Sequence, residues 1–192
     1  MDTIKFVIED HGDEEFGYKF KIINIYINEQ DLIDLVTRVE RKEWDGQKNS
    51  RSGYIGFPLT DFERFHREML GNKVYRRSIL LTCTCTFEEC NCIMANITFE
   101  DRSVTWSDLR SPYLGGQTYS PFVEEADAIE EGWVPIDYSG LSPFVFEKEQ
   151  YLSALEQVVE ECRLRKLQEP PSDTARNSPF GLLGLFNEEV TE

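Results

Sequence analysis

The sequence is poor in basic residues, with 20 Lys and Arg against 36 Asp and Glu and a formal net charge of -16 at pH 7. Charge of this sign repels phosphate backbones, so we do not expect nucleic acid as a ligand. It steers positively charged surfaces towards the chain, which favours a basic protein as partner. The simpler alternative is that the acidic composition only keeps a cytosolic protein in solution.

Long apolar runs are also missing, since no stretch approaches the roughly 18 apolar residues that indicate a membrane-spanning helix. The N-terminal sequence MDTIKFVIED has neither the basic segment nor the apolar run of a secretory signal. We therefore expect a cytoplasmic protein without membrane spans. In that reducing compartment the five cysteines are expected to be thiols, metal ligands or transient redox groups rather than structural disulfides.

Catalytic and cofactor motifs are lacking as well. The chain contains no glycine-rich dinucleotide or P-loop signature, no H-E-x-x-H and no G-x-S-x-G. A cysteine nucleophile would need His11 or His66 as its base. His11 lies in an acidic loop, and His66 lies on the Phe65 side of a short helix, where a core histidine is the commoner case. The sequence therefore favours a protein that is not an enzyme.

The pattern of apolar residues predicts the first half of the fold. IKFVIED and KFKIINIYI alternate like two strands joined by a loop rich in Gly and acids, which indicates an N-terminal hairpin. A helix capped by Asn28 should follow, because apolar residues recur after it at helical spacing. Thr60 and Glu63 fit a capping box at the start of a short second helix.

The second half predicts a meander and a long helix. ILLTCTC, CNCIMANITF and SVTWSDL are three strand-like runs separated by short turns. A short strand and a final helix follow, and the helix has an apolar stripe made of Tyr151, Leu155, Val158 and Cys162. Because this order does not alternate as βαβ, we expect an α+β fold with a mostly antiparallel sheet, built from the N-terminal hairpin and the central three-strand meander and packed with about three helices.

The predicted domain organisation is one α+β domain over 1–167 and a polar tail over 168–192. The tail holds prolines and serines and one short apolar patch, FGLLGLF, at 180–186. That patch should dock on the body of the protein or bind a partner as a short linear element.

Four cysteines lie within the stretch LLTCTCTFEECNC, residues 80–92. If its two strands pair around TFEE, Cys85 lies opposite Cys90 and Cys83 opposite Cys92. All four sulfurs then share one face, because side chains two apart on a strand point the same way. Ligand type and number fit a zinc site made of Cys83, Cys85, Cys90 and Cys92. Disulfides across the pairs, formed as a redox response, are a further alternative.

Strand spacing nevertheless favours burial of these cysteines over metal binding. Structural zinc sites usually use C-x2-C turns, which let two sulfurs converge from a loop, and a C-x-C strand does not do this. Free cysteine is among the most buried residue types. We therefore expect small core residues on one face of the hairpin, with zinc as the alternative.

Residues 111–142 are rich in Pro, Gly, Ser and acids without a sustained period, which is typical of a long loop that is either functional or partly disordered. Aromatic anchors among carboxylates would suit a surface that binds a basic protein. The predicted partner surface consists of Tyr113, Tyr119, Glu124, Glu125, Glu130, Glu131 and Trp133. In the alternative, the aromatic residues pack inward and the acids are ordinary solvated loop residues.

Two segments resemble a known family: ILLTCTCTFEECNCIMANITFEDRSVTWSDLRSP at 79–112 and DYSGLSPFVFEKEQYLSAL at 137–155. They are similar to a family of uncharacterised bacterial cytosolic proteins that combines a C-x-C strand, a nearby third cysteine, a V-T-W segment and a Y-x-x-L-x-P-F-x-F element. In that family glycine follows the C-x-C, whereas Thr86 and Phe87 stand here. The resemblance implies a bacterial, intracellular α+β protein and implies no activity or cofactor.

Together these patterns predict a non-catalytic cytoplasmic protein that acts through protein–protein contacts, as an inhibitor or immunity-type partner of a basic protein. The first alternative is a zinc-binding module built on the four clustered cysteines. The second is a cysteine-dependent redox enzyme.

Overall fold

The fold is α+β, as the order of predicted elements indicated. The computed structural model describes residues 1–13, 18–43, 53–72, 77–84, 92–111, 113–114, 117–118, 136–141 and 143–168. Three helices, two antiparallel sheets and one short pair of strands account for the regular structure of these residues.

In chain order the elements are β1 (Ile4–Asp13), β2 (Tyr18–Ile27), β3 (Gln30–Asp31), α1 (Leu32–Glu43), β4 (Tyr54–Ile55), β5 (Phe57–Pro58), a 3-10 turn (Leu59–Asp61), α2 (Phe62–Met69), β6 (Ser78–Cys83), β7 (Cys92–Phe99), β8 (Ser103–Arg110), β9 (Tyr113–Leu114), β10 (Gln117–Thr118), β11 (Phe144–Glu147) and α3 (Lys148–Gln168).

The first sheet is built on the predicted N-terminal hairpin, which is confirmed. β1 and β2 pair in register from Ile4 opposite Ile27 to Asp13 opposite Tyr18. The short strands β3 and β5 both pair with β2. Because side chains alternate across a strand, one face of the hairpin is apolar and buried. This face comprises Ile4, Phe6, Ile23, Ile25 and Ile27.

The second sheet contains the predicted meander, which is also confirmed. Its strand order is β11-β8-β7-β6-β4, so the consecutive strands β6, β7 and β8 are neighbours and all pairs are antiparallel. The two sheets are joined at two places. The backbone of Asp2, just before β1, bridges to Phe146 in β11, and Gly56 links β4 of one sheet to β5 of the other.

Gly56 is required at this corner because the backbones meet there. A Cβ atom on Gly56 would lie 2.2 Å from the carbonyl oxygen of Ile23 and 2.6 Å from Oδ1 of Asn24. The Gly56 carbonyl in turn accepts a hydrogen bond from the Thr82 hydroxyl (3.2 Å). Only a residue without a side chain allows the two sheets to approach this closely.

Helix α1 begins one turn later than the Asn28 cap predicts, and that cap assignment is wrong. Asn28 and Glu29 have φ angles of 51° and 64° and form the tight turn between β2 and β3. Asparagine tolerates this left-handed backbone better than most residues, which explains its place in the turn. Asp31 caps the helix instead, since its Oδ1 accepts the backbone N–H of Ile33 (2.8 Å).

The capping box predicted for Thr60 and Glu63 does not form. Helix α2 continues directly from the 3-10 turn, and the backbone N–H of Phe62 donates to the carbonyl of Leu59. The residue before α2, Asp61, makes no side-chain capping bond either. The turn thus satisfies backbone donors that a capping side chain would otherwise bind.

The core lies between the sheets and the helices. The stripe predicted for the last helix is buried along α3 and comprises Tyr151, Leu155, Val158 and Cys162. Trp106 is fully buried on β8 and packs edge-on against Phe146, with ring centroids 5.3 Å apart. Such aromatic pairs add to the stabilisation that burial gives. Among the described helices, none combines the length and the apolar character needed to cross a membrane.

Candidate functional site

The register of the cysteine hairpin differs from the predicted one. Thr82, not Cys83, lies opposite Cys92, and Cys83 pairs with Tyr54 on β4. A register shift between Ile79 and Leu81 inserts one residue into β6, and beyond it the pairing is still offset by one residue from the predicted one. A shift by one residue moves side chains to the other face of a strand. The prediction that all four sulfurs share one face is therefore wrong for Cys83 and Cys92.

The two described cysteines of the cluster are buried, as the packing interpretation expected. Both faces of β6 are covered, because every residue from Ser78 to Cys83 is buried. Burial raises the pKa of the Cys92 thiol to about 12 against the weaker opposing charge of Arg64, and burial raises that of Cys162 to about 11. A thiol that stays protonated at neutral pH is a poor nucleophile and a poor metal ligand.

The remaining predicted site residues lie mostly outside the described part of the chain. Cys85 and Cys90 fall there, as do Tyr119, Glu124, Glu125, Glu130, Glu131 and Trp133. Tyr113 belongs to β9, but its side chain is not described. Within the described ranges, no three His, Cys, Asp or Glu side chains are placed to hold a metal ion.

A partly buried carboxylate joins α1 to the second sheet. Oε1 of Glu40 accepts hydrogen bonds from the hydroxyls of Tyr54 (2.8 Å) and Tyr138 (2.7 Å). The Tyr54 hydroxyl also lies 3.0 Å from Oγ of Ser111 at the end of β8. Four separate parts of the chain therefore meet at one polar cluster, which ties together α1, β4, the end of β8 and the segment 136–141.

The hydrogen bonds of this cluster have a structural role, because they hold four segments of the chain together. Burial raises the pKa of Glu40, although the hydrogen bonds from Tyr138 and Tyr54 act in the opposite direction. Burial and the negative charge of Glu40 also raise the pKa of Tyr138. Tyr138 thus remains a protonated donor, and the Glu40 oxygen is already engaged by two hydroxyl groups.

Three acids surround Tyr26 on the outer side of the first sheet: Glu9, Asp31 and Asp34. We call these three residues the acidic face. The Tyr26 hydroxyl donates to Oε1 of Glu9 (2.6 Å), and Asn24 Nδ2 donates to Oε2 of the same carboxylate (2.6 Å). Tyr26 lies directly opposite Asp31 in the β2–β3 pair, so their side chains share this face.

Like charges crowd each other on the acidic face. Partial burial raises the pKa of Asp31 and outweighs the backbone N–H of Ile33, while the charges of Asp34 and Glu9 raise it further. The hydrogen bond to Glu9, partial burial and these same carboxylates raise the pKa of Tyr26. A cation placed on this face would relieve the repulsion, because an opposite charge favours the ionised form.

The margin of the acidic face contains one ion pair and one exposed apolar side chain. Lys5 Nζ lies 2.6 Å from Oε1 of Glu29, so this cation is already matched by an acid. Val7, between Lys5 and Glu9 on β1, is 36% exposed. An apolar residue beside carboxylates that form no ion pair within the described part of the chain is a composition that suits a contact surface for a positively charged protein.

Sequence patterns did not identify the acidic face, because Glu9 is far in the chain from Asp31 and Asp34. Glu9 comes from β1, Asp31 from β3 and Asp34 from the first turn of α1. The tight turn at Asn28 and Glu29 brings them together by folding β3 onto β2. The turn-forming Asn28, placed directly after a long strand, was the only available signal.

No match to this chain was found among known protein families, curated proteins or solved structures.

Proposed function

We propose that the chain is a non-catalytic cytoplasmic protein that binds a basic protein through the acidic face, as its inhibitor or immunity-type partner. The observation that supports this most directly is the placement of Glu9, Asp31 and Asp34 around Tyr26. Partial burial, and after it the charges of Asp34 and Glu9, raise the pKa of Asp31. The formal net charge of -16 supports it at the level of the whole chain, since such a field accelerates encounter with a cationic partner.

Repulsion on the acidic face is a cost in the free protein that a basic partner removes. A Lys or Arg side chain next to Asp31 would favour its ionised form and lower its pKa. Binding should therefore release a proton where Asp31 is partly protonated, and the affinity should fall as the solution becomes more acidic. Raised salt should also weaken binding, because exposed charges are screened.

The thiol chemistry of the redox alternative has less support. Cys92 and Cys162 are buried, and burial raises both thiol pKa values. Neither side chain has the exposed, electropositive surroundings that activate a cysteine. The zinc alternative required Cys83 and Cys92 to lie on the same face of the sheet, and the strand pairing places them on opposite faces.

A synthetic peptide rich in Lys and Arg is a suitable probe, with binding followed by fluorescence anisotropy. The variant D31N/D34N removes two negative charges from the acidic face, and Asn at position 31 can still cap α1. We expect its dissociation constant to rise about fivefold or more, because each surface ion pair contributes up to about 1 kcal/mol.

The matched control is D101N/E156Q, which removes two charges from exposed residues on other elements. It should change the dissociation constant by less than about twofold, since only long-range charge is lost. Equal weakening in both double variants would mean that net charge alone attracts the peptide. That result, or an absence of binding to the unaltered protein at low salt, would overturn the proposal.

A further inference from the structure

Strand β1 leaves one edge of the first sheet open. Among the described strands it pairs only with β2, and the order β1-β2-β3 places it at the border of its sheet. It is ten residues long, and its pairing with β2 runs from Ile4 to Asp13 without a register shift. Soluble proteins usually interrupt such edges with short strands, prolines or bulges, because a long regular edge is a template for another strand.

The backbone groups of Phe6 and Ile8 point towards this open edge. At the start of the hairpin the Asn28 N–H donates to the Thr3 carbonyl (3.0 Å), so these two residues form a bonded pair. Bonded and non-bonded pairs alternate along an antiparallel ladder, so the even-numbered residues of β1 turn their N–H and C=O groups outward. The Ile4 carbonyl does so and accepts a hydrogen bond from a side chain of α3 (2.7 Å). No backbone hydrogen bond from elsewhere in the described part of the chain reaches Phe6 or Ile8 at this edge.

A groove runs along the open edge between β1 and α3. It has a volume of about 380 Å³ and is lined by residues 5–8 of β1 and by one side of α3. The residues that α3 contributes are Ala154, Gln157, Val158 and Glu161. Leu164 follows Gln157 and Glu161 at helical spacing, so it continues this side of α3. Val7 (36% exposed) and Leu164 (51% exposed) are two of the three large apolar side chains that are exposed within the described ranges.

The sequence of β1 is complementary to itself in one antiparallel register. A two-fold axis at Val7 places Val7 opposite its own copy, Lys5 opposite Glu9, and Phe6 opposite Ile8. Phe6 and Ile8 then form hydrogen-bonded pairs, because both present their backbone groups at the edge. Lys5, Val7 and Glu9 share the outer face of the strand, where each lysine lies opposite a carboxylate of the other copy.

The contacts that Lys5 and Glu9 already make leave room for these pairs. Lys5 Nζ lies 2.6 Å from Oε1 of Glu29, and both side chains are more than half exposed. Glu9 accepts hydrogen bonds from Tyr26 and Asn24. An ammonium group has three donors and a carboxylate has about four acceptor positions, so each group can bind a further partner.

We propose that two copies of this chain pair through β1 as antiparallel strands, related by a two-fold axis at Val7, and so form one continuous sheet. Helix α3 packs on the Phe6 side of β1, with the rings of Phe6 and Tyr151 6.0 Å apart. The α3 helices of both copies therefore flank the paired strands, and the side of α3 that carries Leu164 is turned towards the second copy. The inference needs no basic partner, so it and the proposed function can fail separately.

Sedimentation velocity of the full-length protein tests the pairing. The sedimenting mass should rise from that of one chain towards that of two as the protein concentration is raised through the micromolar range. K5E and E9K each place like charges opposite each other and should raise the dissociation constant of the dimer about fivefold or more, because symmetry puts two such pairs in the interface. Combining them as K5E/E9K should restore the affinity, since the charges are then opposite again.

The matched control for K5E is K42E, which makes the same charge change at an exposed lysine of α1. It should alter the dissociation constant by less than about twofold, since only long-range charge changes. I8P removes an N–H group that points outward, a position where edge strands tolerate proline, and it should abolish pairing. A thermal melt confirms that each variant folds, and the charge variants still test the register if I8P does not fold.

The mass of one chain at every concentration would overturn the proposal. A dimer with the same dissociation constant in K5E, E9K and the unaltered protein would also contradict it, because its interface would then lie elsewhere. Equal weakening by K5E and K42E would mean that net charge alone controls the association, which is a third contradicting result.

Discussion

At the scale of single residues, Glu40 shows how burial and hydrogen bonding act against each other. Its carboxylate is held by Tyr54 and Tyr138, yet burial still raises its pKa. The charged form is therefore less favourable in the folded chain than in the unfolded one. The polar cluster joins separate segments at the expense of some stability at neutral pH.

Replacing Glu40 with Gln should make folding stability less dependent on pH. Because the folded pKa of Glu40 is raised, its stabilising contribution is complete below the unfolded pKa of about 4.3 and is lost as pH rises through the folded value. The unfolding free energy of the unaltered protein minus that of E40Q should thus fall as the pH rises above the unfolded pKa. Urea unfolding at several pH values measures this difference.

The control for this prediction is E156Q, which alters an exposed glutamate on α3. Its stability relative to the unaltered protein should stay nearly constant over the same range. A parallel pH dependence for E40Q and the unaltered protein would show that Glu40 is not responsible.

The buried thiols should be inert in the native protein. Cys92 and Cys162 are protected by packing, and burial raises their pKa values. Alkylation at about pH 8, mapped by mass spectrometry, should leave both residues unmodified until denaturant is added. Rapid native labelling of Cys92 would contradict the burial described here and would revive a catalytic role for that thiol.

At the scale of elements, the junction of the two sheets is the most constrained part of the fold. Gly56 connects β4 to β5 where the backbone of β2 approaches. The G56A substitution should lower the unfolding free energy by at least about 2 kcal/mol, because its Cβ would overlap backbone atoms of Ile23.

G53A is the matched control, since a Cβ atom on Gly53 would have no heavy atom within 4 Å. It should change the unfolding free energy by less than about 0.5 kcal/mol. Denaturant unfolding compares the two variants. Equal stability of G56A and G53A would mean that the sheets separate more easily than their contact suggests.

Element types could be predicted from the sequence where periodicity was long and regular. The hairpin, the meander and the apolar stripe of α3 follow from alternation or helical spacing. Strand register could not be predicted, because it depends on bulges. One register shift lies at Ile79, whose backbone N–H donates to buried Glu68 (3.1 Å), and another is accompanied by a φ of 54° at Asp108.

The predicted starts of α1 and α2 were wrong for a related reason. Asn28 and Thr60 are both good caps by composition, but backbone turns already use those positions. A two-residue turn takes Asn28, and a 3-10 turn includes Thr60. Local sequence offers the same residue types for caps and for turns, and tertiary pairing decides between them.

At the scale of the whole molecule, charge is unevenly distributed over one hairpin. Glu9 of β1 contributes to the acidic face, whereas Lys19 and Lys21 lie on β2, where Lys21 pairs with Asp10. The composition indicated only the net charge of the whole chain, which is strongly negative. The acidic face arises because β3 and α1 add Asp31 and Asp34 to Glu9 of β1.

The most direct test of the central claim is a map of carboxylates that touch a bound cationic probe. Zero-length carbodiimide cross-linking of the Lys- and Arg-rich peptide, followed by mass spectrometry, joins probe lysines to the acids within contact distance. The account predicts that Glu9, Asp31 and Asp34 dominate the cross-links and that their yield falls at raised salt. Cross-links spread evenly over exposed acids of α3, such as Glu156 and Glu160, would contradict it.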